Sequence, residues 1–266
     1  MMVRIRTTTL QERKRAGEKI TALTAYDYPT AKILDECGID IVLVGDSCAN
    51  NVMGLPDTLG ITMDDMVRHV KMVSRAVEHA LIVADMPFLS YQVSTEEAVR
   101  NAGRFVAEAG AHAIKLEGPA DKFGDVIRGI LRAGIPVMGH IGFTPQSVHQ
   151  IGGYKVQGRG EEARARLREE ALSLQEAGCF ALVLELVQAD VAAEITTSLD
   201  IPTIGIGSGA GCDGQVLILH DILGFHPPRS YFKVYENVAE GIRRAVNTYI
   251  QEVKDGSFPS EEHEHR

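Results

Sequence analysis

Ile41-Val42-Leu43-Val44-Gly45-Asp46 is a short apolar stretch, rich in β-branched residues, that ends on a carboxylate. Three later stretches repeat this pattern: residues 81–85, 113–117 and 181–185. Short continuous apolar runs are typical of buried strands in parallel sheets, so their last residues lie where the strands leave the core. An ionised carboxylate at such a place is costly without compensation, and four of them predict one shared hard divalent cation.

The junctions between these stretches predict repeated βα units. Helix-like stretches end on a glycine that a strand-like run follows at once, at Gly38, Gly110, Gly134 and Gly178. Glycine just past a helix supplies the left-handed residue that closes it. Ser94 to Glu97 is a capping box, and Thr62 with Asp65 is nearly another, so the helix starts agree with this cadence.

Eight strands are predicted, at residues 20–25, 39–44, 81–84, 113–116, 136–140, 181–185, 202–206 and 216–220. An open sheet would string the acids along one edge, whereas a closed barrel brings all strand ends to one mouth. We therefore expect a single α/β domain, a (β/α)₈ TIM barrel over residues 1–255 with an N-terminal extension. Long loops at 46–60 and 141–160 leave the C-terminal mouth, and a polar tail covers 256–266.

Composition narrows the possible partners and compartment. The net charge is -9 and there is no Lys/Arg cluster, which argues against a nucleic-acid partner. The four cysteines have no zinc spacing and are typical of reduced thiols in the cytoplasm. Neither an apolar leader nor a stretch of about 18 to 20 apolar residues is present, so we expect a soluble cytoplasmic protein without membrane contact.

Asp46 and Asp85 are the first metal candidates, because small hard cations prefer carboxylate oxygens. The structural alternative is that each caps the helix after its strand, although Met86-Pro87 does not look like a helix start. Glu117 is a possible third ligand or a holder of metal-bound water. An ion pair of Glu117 with Lys115 is equally open, since alternate strand residues share a face.

Lys115, Glu185 and His140 are candidates for the chemistry itself. Lys115 would meet an anionic substrate or stabilise an oxyanion; three nearby carboxylates would keep it protonated, which argues against a Schiff base. Glu185 has no basic residue within five positions and is predicted to act as a general base; the alternative is a buried acid with a distant partner. His140 is either a donor to a substrate carbonyl or a satisfied core residue.

Two further features attract weaker interpretations. The glycine-rich stretch 205–211 lies late in the chain and lacks an acid about twenty positions on, so a barrel loop is favoured over a dinucleotide fingerprint. Its backbone amides are available for a carboxylate or phosphate. His263 and His265, in the acidic tail, are expected to be solvated.

Six motifs together resemble the ketopantoate hydroxymethyltransferase family. They are residues 44–47 (VGDS), 84–88 (ADMPF), 115–118 (KLEG), 139–146 (GHIGFTPQ), 152–159 (GGYKVQGR) and 182–185 (LVLE). The resemblance runs from about residue 24 to 249. It implies a cytoplasmic, Mg²⁺-dependent TIM barrel, usually a decamer, that moves a hydroxymethyl group from 5,10-methylenetetrahydrofolate to 3-methyl-2-oxobutanoate. The product would be 2-dehydropantoate, on the route to pantothenate and coenzyme A.

The resemblance also implies roles for individual residues. They are Asp46, Asp85 and Glu117 for magnesium; Asp46, Ser47, Asp85 and Lys115 for the 2-oxo acid; and Glu185 as proton acceptor. His140 remains a further candidate contact of the substrate. Ser208 and Cys212-Asp213 depart from the family pattern, and we assign the glycine-rich loop no role.

The implied chemistry explains these residue types. A 2-oxo acid chelates Mg²⁺, the metal withdraws charge from the ketone, and Glu185 removes the neighbouring proton. The enolate then attacks the one-carbon unit of the folate while the 141–160 loop excludes water. One rival is a lyase or mutase of the phosphoenolpyruvate and isocitrate lyase type, but this chain lacks the Lys-Lys-Cys-Gly-His stretch of those lyases. The other is a non-catalytic ketoacid-binding barrel, which would not need a spare acid such as Glu185.

Overall fold

Eight parallel strands close into one barrel and pair in chain order, β1 to β8, with β8 returning to β1. The computed structural model describes residues 4–228 and 230–265. The strands are β1 Ile20–Thr24, β2 Ile41–Val44, β3 Leu81–Asp85, β4 Ala113–Lys115, β5 Val137–Gly142, β6 Ala181–Glu185, β7 Thr203–Ile206 and β8 Gly214–Leu217. The predicted (β/α)₈ fold is confirmed.

The first seven predicted strands end within two residues of the observed ones, and the eighth needs a correction. It was predicted at 216–220, but β8 begins at Gly214, and His220 lies in a short helix. A Cβ on Gly214 would lie 2.5 Å from the Ile20 carbonyl oxygen, so the strand that closes the barrel needs a residue without a side chain there. The missing side chain also removes the apolar signal by which strands are recognised.

The helices have the bounds α1 Thr7–Ala16, α2 Tyr28–Glu36, α3 Cys48–Asn51, α4 Met63–Ser74, α5 Thr95–Gly103, α6 Ala120–Arg132, α7 Val148–Ile151, α8 Glu161–Ala177, α9 Ala189–Ser198, α10 Leu219–Ile222 and α11 Val238–Asp255. A π-helical turn, Arg104–Glu108, extends α5, and 3₁₀ turns span Pro145–Ser147 and Glu261–His263. The glycines predicted to close α2, α6, α8 and the turn after α5 all have positive φ, between 80° and 103°.

The two predicted capping boxes differ in the structure. Thr62 and Asp65 form a complete box at α4, because each side chain bonds the other residue's backbone N–H. At α5 the Ser94 hydroxyl accepts from the backbone N–H of Glu97 at 3.1 Å, and the reciprocal bond is not formed. Thr62 and Asp65, which match the capping-box pattern less well in sequence, therefore form the more complete cap.

The core of the barrel consists of inward-facing strand residues, and α1 adds Leu10, which is fully buried among them. The N-terminal extension thus closes the end of the barrel at which the strands begin. The other end stays available for polar side chains, which follow the strands and are described below. Burial of this apolar cluster is the dominant stabilising term of such a barrel.

The chain divides into two compact units, residues up to Ile218 and residues from Leu219 onward, and the whole barrel lies in the first. The predicted border between barrel and tail at residue 255 stays a prediction; α11 ends there, and Gly256 follows with φ 78°. The four cysteines are free thiols, as the sequence predicted. In residues 4–228 and 230–265 no helix has the length and apolarity needed to cross a membrane.

Candidate active site

The strand register gathers the predicted residues at the carboxyl end of the barrel. Asp85 on β3 lies opposite Lys115 on β4, and Glu185 on β6 lies opposite Gly142 on β5. The residues that meet there, named the mouth cluster, are Asp46, Asp85, Lys115, Glu117, His140 and Glu185. All except Glu185 are at most 5% exposed. The convergence predicted from the sequence is therefore present.

Asp46 and Asp85 are linked directly, since the backbone N–H of Asp46 donates to Asp85 Oδ2 at 3.0 Å. Gly45 permits this approach, because a Cβ there would lie 2.8 Å from Ser47 Oγ and 3.4 Å from Asp85 Oδ2. Neither aspartate caps a helix: α3 starts after Ser47 without a side-chain cap. The helix-cap alternative is thus wrong for both residues. Burial, followed by the charges of Asp85 and Glu117, raises the pKa of Asp46 well above its usual value.

Lys115 is the buried cation of the mouth cluster. Its Nζ lies 3.0 Å from Asp85 Oδ1 and 3.3 Å from His140 Nδ1. It therefore pairs across the sheet with Asp85, and the alternative of an ion pair with Glu117 is wrong. Burial works to lower the pKa of Lys115, but the surrounding carboxylates, Asp85 foremost, raise it above its usual value. The amine is thus an ammonium, which agrees with the argument against a Schiff base.

Glu117 is held from two sides. Its Oε2 accepts from the backbone N–H of Gln146 at 3.0 Å, and its Oε1 lies 3.6 Å from His140 Nδ1. Burial favours the neutral acid, yet the charges of His140 and Lys115 lower the pKa of Glu117. Of the three buried acids, Glu117 is therefore the one that most readily stays ionised.

Glu185 reaches the mouth beside His140. The distance from His140 Nε2 to Glu185 Oε2 is 3.2 Å, and the Glu185 side chain is 16% exposed. His140 is therefore the distant partner of Glu185 that the sequence left open, and the Glu185 carboxylate still contacts solvent. Burial and Lys115 lower the pKa of His140, but Glu117 and Glu185 outweigh them and raise it to about 9. His140 thus lies between two carboxylates of the cluster, which favour its protonated form.

Three polar residues near the cluster were missed. Gln146 donates from Nε2 to Asp46 Oδ2 at 2.9 Å, and the Tyr91 hydroxyl lies 2.9 Å from Gln146 Oε1. Tyr26 places its hydroxyl 2.9 Å from Ser47 Oγ. Gln146 was inside one of the quoted motifs, but a neutral amide in a loop gives no signal of its role.

The glycine-rich loop after β7 has a structural use. Ser208 Oγ donates to the Leu184 carbonyl at 2.7 Å and accepts from the Val187 N–H at 3.0 Å. These bonds bracket Leu186, a non-glycine residue with φ 50°. Ser208 therefore anchors the chain immediately after Glu185.

The charges of the mouth cluster fit a divalent cation. Four acidic side chains face two basic ones, Lys115 and His140, so the acids outnumber the basic groups by two. Asp85 Oδ1 is buried, and no described residue offers it a well-aligned hydrogen bond. Within the described ranges, no three acidic, histidine or cysteine side chains already have the arrangement of a metal site. Lys115 pairs with Asp85, and Gln146 hydrogen-bonds to both Asp46 and Glu117. The oxygen donors and the excess of acids suit Mg²⁺.

The fold and this site define a class: a (β/α)₈-barrel enzyme with a buried acid–base cluster at its carboxyl-terminal mouth. The barrel resembles solved structures of phosphonopyruvate hydrolase in complex with oxalate and Mg²⁺ (TM-score 0.63, 13% identity, 97% and 93% of the two chains). It also resembles phosphoenolpyruvate phosphomutase from Streptomyces platensis subsp. rosaceus (TM-score 0.65, 15% identity, 98% and 92%). At this identity the likeness concerns the fold alone.

Sequence comparison gives the family. The family model of ketopantoate hydroxymethyltransferase matches residues 4–261, and the chain belongs to that family. The protein named 3-methyl-2-oxobutanoate hydroxymethyltransferase in Syntrophus aciditrophicus (strain SB) is 53% identical over 262 residues, 98% of this chain and 96% of the relative. The one in Pyrobaculum aerophilum is 55% identical over 242 residues, 91% and 92% of the two chains. The chain is thus a transferase of the pantothenate pathway.

Proposed function

We propose that the chain moves a hydroxymethyl group from 5,10-methylenetetrahydrofolate to C3 of 3-methyl-2-oxobutanoate, with Mg²⁺ as cofactor and Glu185 as base. The observation that carries the proposal is the mouth cluster, in which the partly exposed carboxylate of Glu185 stands beside three buried acids. The names of the relatives agree with the acceptor substrate.

The proposed metal ligands are Asp46, Asp85 and Glu117. When bound there, Mg²⁺ would act as a Lewis acid for the carbonyl of the 2-oxo acid and make the adjacent C–H more acidic. The Lys115 ammonium is positioned to attract the anionic substrate, and Ser47, fixed by Tyr26, adds a hydroxyl at the same rim. His140 completes the proposed substrate contacts.

Glu185 takes the C3 proton in this proposal. Its carboxylate is the member of the mouth cluster with contact to solvent, and its Oε2 lies 3.2 Å from His140 Nε2. Glu185 takes the C3 proton, and the electron pair of that C–H bond forms a bond from C3 to the methylene carbon of the folate. Both C–N bonds of this carbon break in the overall reaction, and water supplies the hydroxyl group. One proton from C3 and one from water end on the two folate nitrogens. Tetrahydrofolate is the second product.

A cleft beside the cluster suits the second substrate. Its volume is about 710 Å³, within the range of roughly 300 to 1,000 Å³ typical of small-molecule sites. Glu117 and Gln146 line it together with Tyr91 and Phe123, whose rings pack edge to face with centroids 5.2 Å apart. A folate in this cleft would contact the ring of Phe123, which is partly exposed, and would approach the substrate from the side of Glu117.

Other parts of the proposal rest on the resemblance alone. We propose that the protein works in the cytoplasm on small molecules and assembles into a homo-oligomer, for which a decamer remains the expectation. The rival lyase or mutase activity is supported by the fold only, since those relatives are 13% to 18% identical.

Deuterium exchange tests the base. Wild-type protein with Mg²⁺ and no folate should exchange the C3 proton of 3-methyl-2-oxobutanoate in D₂O, measured by NMR. Glu185→Gln should slow this exchange by roughly 10²- to 10⁴-fold, the usual contribution of a general base.

Glu194→Gln is the matched control. Glu194 is a half-exposed acid of α9 that pairs with Arg168, away from the cluster. Its exchange rate should equal that of the wild type. Equal rates in wild type and Glu185→Gln would remove Glu185 as the base, and absence of exchange in the wild type would contradict the proposed acceptor chemistry.

A further inference from the structure

Gln146 has no role in the sequence predictions, yet it hydrogen-bonds to two acids of the mouth cluster, Asp46 and Glu117. It is 7% exposed and follows β5 in a 3₁₀ turn, Pro145–Ser147. Its side-chain amide bonds Asp46 Oδ2, and its backbone N–H bonds Glu117 Oε2 at 3.0 Å. A single residue thus holds two of the three proposed metal ligands.

The amide of Gln146 is satisfied in all four of its hydrogen-bonding capacities. Its NH₂ group donates to Asp46 Oδ2 and to the Met86 carbonyl, both at 2.9 Å. Its oxygen accepts from the Tyr91 hydroxyl at 2.9 Å and from the Gln92 amide at 3.1 Å. A rotated amide would point its oxygen at a carboxylate and a carbonyl, so the network permits one orientation only.

Tyr91 also contacts Glu117, and we call the hydrogen bonds that Gln146 and Tyr91 make to Asp46 and Glu117 the clamp. Its hydroxyl accepts from the Glu117 backbone N–H at 3.1 Å and lies 3.0 Å from the Glu117 carbonyl oxygen. Tyr91 is 1% exposed, so this bridge is shielded from water. Gln146 and Tyr91 together fix both the backbone and the carboxylate of Glu117 relative to Asp46.

We propose that Gln146 is a positioning residue for the divalent cation, which presents Asp46 and Glu117 as ligands and thereby sets the affinity for Mg²⁺. The inference rests on the proposed function, because it assumes that these carboxylates bind the ion. Polar partners that orient ligand carboxylates are worth roughly 10- to 100-fold in metal affinity. Without the amide of Gln146, the Asp46 carboxylate loses a hydrogen-bond donor. The same hydrogen bond connects the loop after β5 to the end of β2.

Calorimetric titration of the full chain with Mg²⁺ tests the proposal. Gln146→Met preserves side-chain length and removes the amide, and its Mg²⁺ dissociation constant should rise roughly 10- to 100-fold. Gln175→Met is the matched control, because Gln175 accepts from the backbone N–H groups of Asp200 and Ile201 ahead of β7, at the other end of the barrel. Its dissociation constant should stay within about twofold of the wild type.

A second readout separates positioning from general damage. If Gln146 acts through the ion, saturating Mg²⁺ should restore most of the C3 exchange rate of Gln146→Met. An exchange rate that stays low at saturation, or a dissociation constant within about twofold of the wild type, would overturn the proposal. So would an equal loss of affinity in Gln175→Met.

Tyr91→Phe keeps the proposal testable if Gln146→Met does not fold. This variant removes one hydroxyl and retains the ring, and its Mg²⁺ affinity should fall because the amide loses an anchor. An unchanged affinity in Tyr91→Phe would then reject the clamp. Failure of the wild type itself to bind Mg²⁺ would instead contradict the proposed cofactor.

Discussion

Replacing Lys115 by methionine should lower the unfolding temperature of the metal-free protein by roughly 6 to 20 °C. The ammonium and Asp85 Oδ1 are 3.0 Å apart, and both side chains are 5% exposed. Removing one partner of such a pair leaves a buried charge and costs about 3 to 5 kcal/mol. At about 2 to 4 °C per kcal/mol for a chain of this size, the range above follows.

The assay is thermal unfolding in EDTA, followed by far-UV circular dichroism. Lys71→Met is the control, because Lys71 and Glu108 form an exposed pair, 3.9 Å apart, with side chains 42% and 46% exposed. Such a pair contributes no more than about 1 kcal/mol, so this variant should stay within a few degrees of the wild type.

A double variant distinguishes the ion pair from lost packing. Asp85→Asn in the Lys115→Met background removes the unpaired charge, so the double variant should be more stable than Lys115→Met, with a coupling of about 0.5 to 3 kcal/mol. A Lys115→Met protein that melts within 2 °C of the wild type, or a double variant less stable than the single one, would refute this reasoning.

Two further predictions concern the backbone near Glu185 and a histidine near the amino terminus. Gly142→Ala should have a free energy of unfolding in urea about 1 to 3 kcal/mol lower than that of Gly134→Ala. A Cβ on Gly142 would lie 2.3 Å from the Glu185 carbonyl oxygen, whereas Gly134, also at positive φ, has open space around it. Equal stabilities of the two variants would contradict this prediction. Burial and then Arg4 lower the pKa of His112 to about 4 from 6.5, so the folded state binds fewer protons and the protein should lose stability as pH falls from about 6.5 to 4. His112→Asn, which keeps an acceptor for the Ile82 N–H, should flatten this pH dependence; an unchanged slope would reject it.

Much of the barrel could be predicted from the sequence because most of its strands are buried on both faces. Continuous runs such as Ile41–Val44 carry a signal that needs no partner to be recognised. The exception is β8, which begins on Gly214. The chain uses glycine there because β1 approaches too closely for a side chain, and this is a property of barrel closure rather than of the local sequence.

The charged residues of the site could also be predicted from the sequence, because an acid at the end of an apolar run is easily recognised. The pairing within the site could not be predicted from the sequence. Lys115 pairs with Asp85 rather than with Glu117 because the β3–β4 register places Asp85 opposite it. Gln146 and Tyr91 were missed because they are neutral, lie in loops and have no periodicity. Their importance comes from contacts between residues up to 100 positions apart, which only the fold brings together.

Lys115 and His140 place basic side chains of the protein itself among the four acids of the mouth cluster. We therefore expect the barrel to keep its fold when magnesium is absent. If the proposed chemistry holds, a shortage of Mg²⁺ would stop catalysis but would leave the protein folded. Activity would return by simple uptake of the ion, without new synthesis.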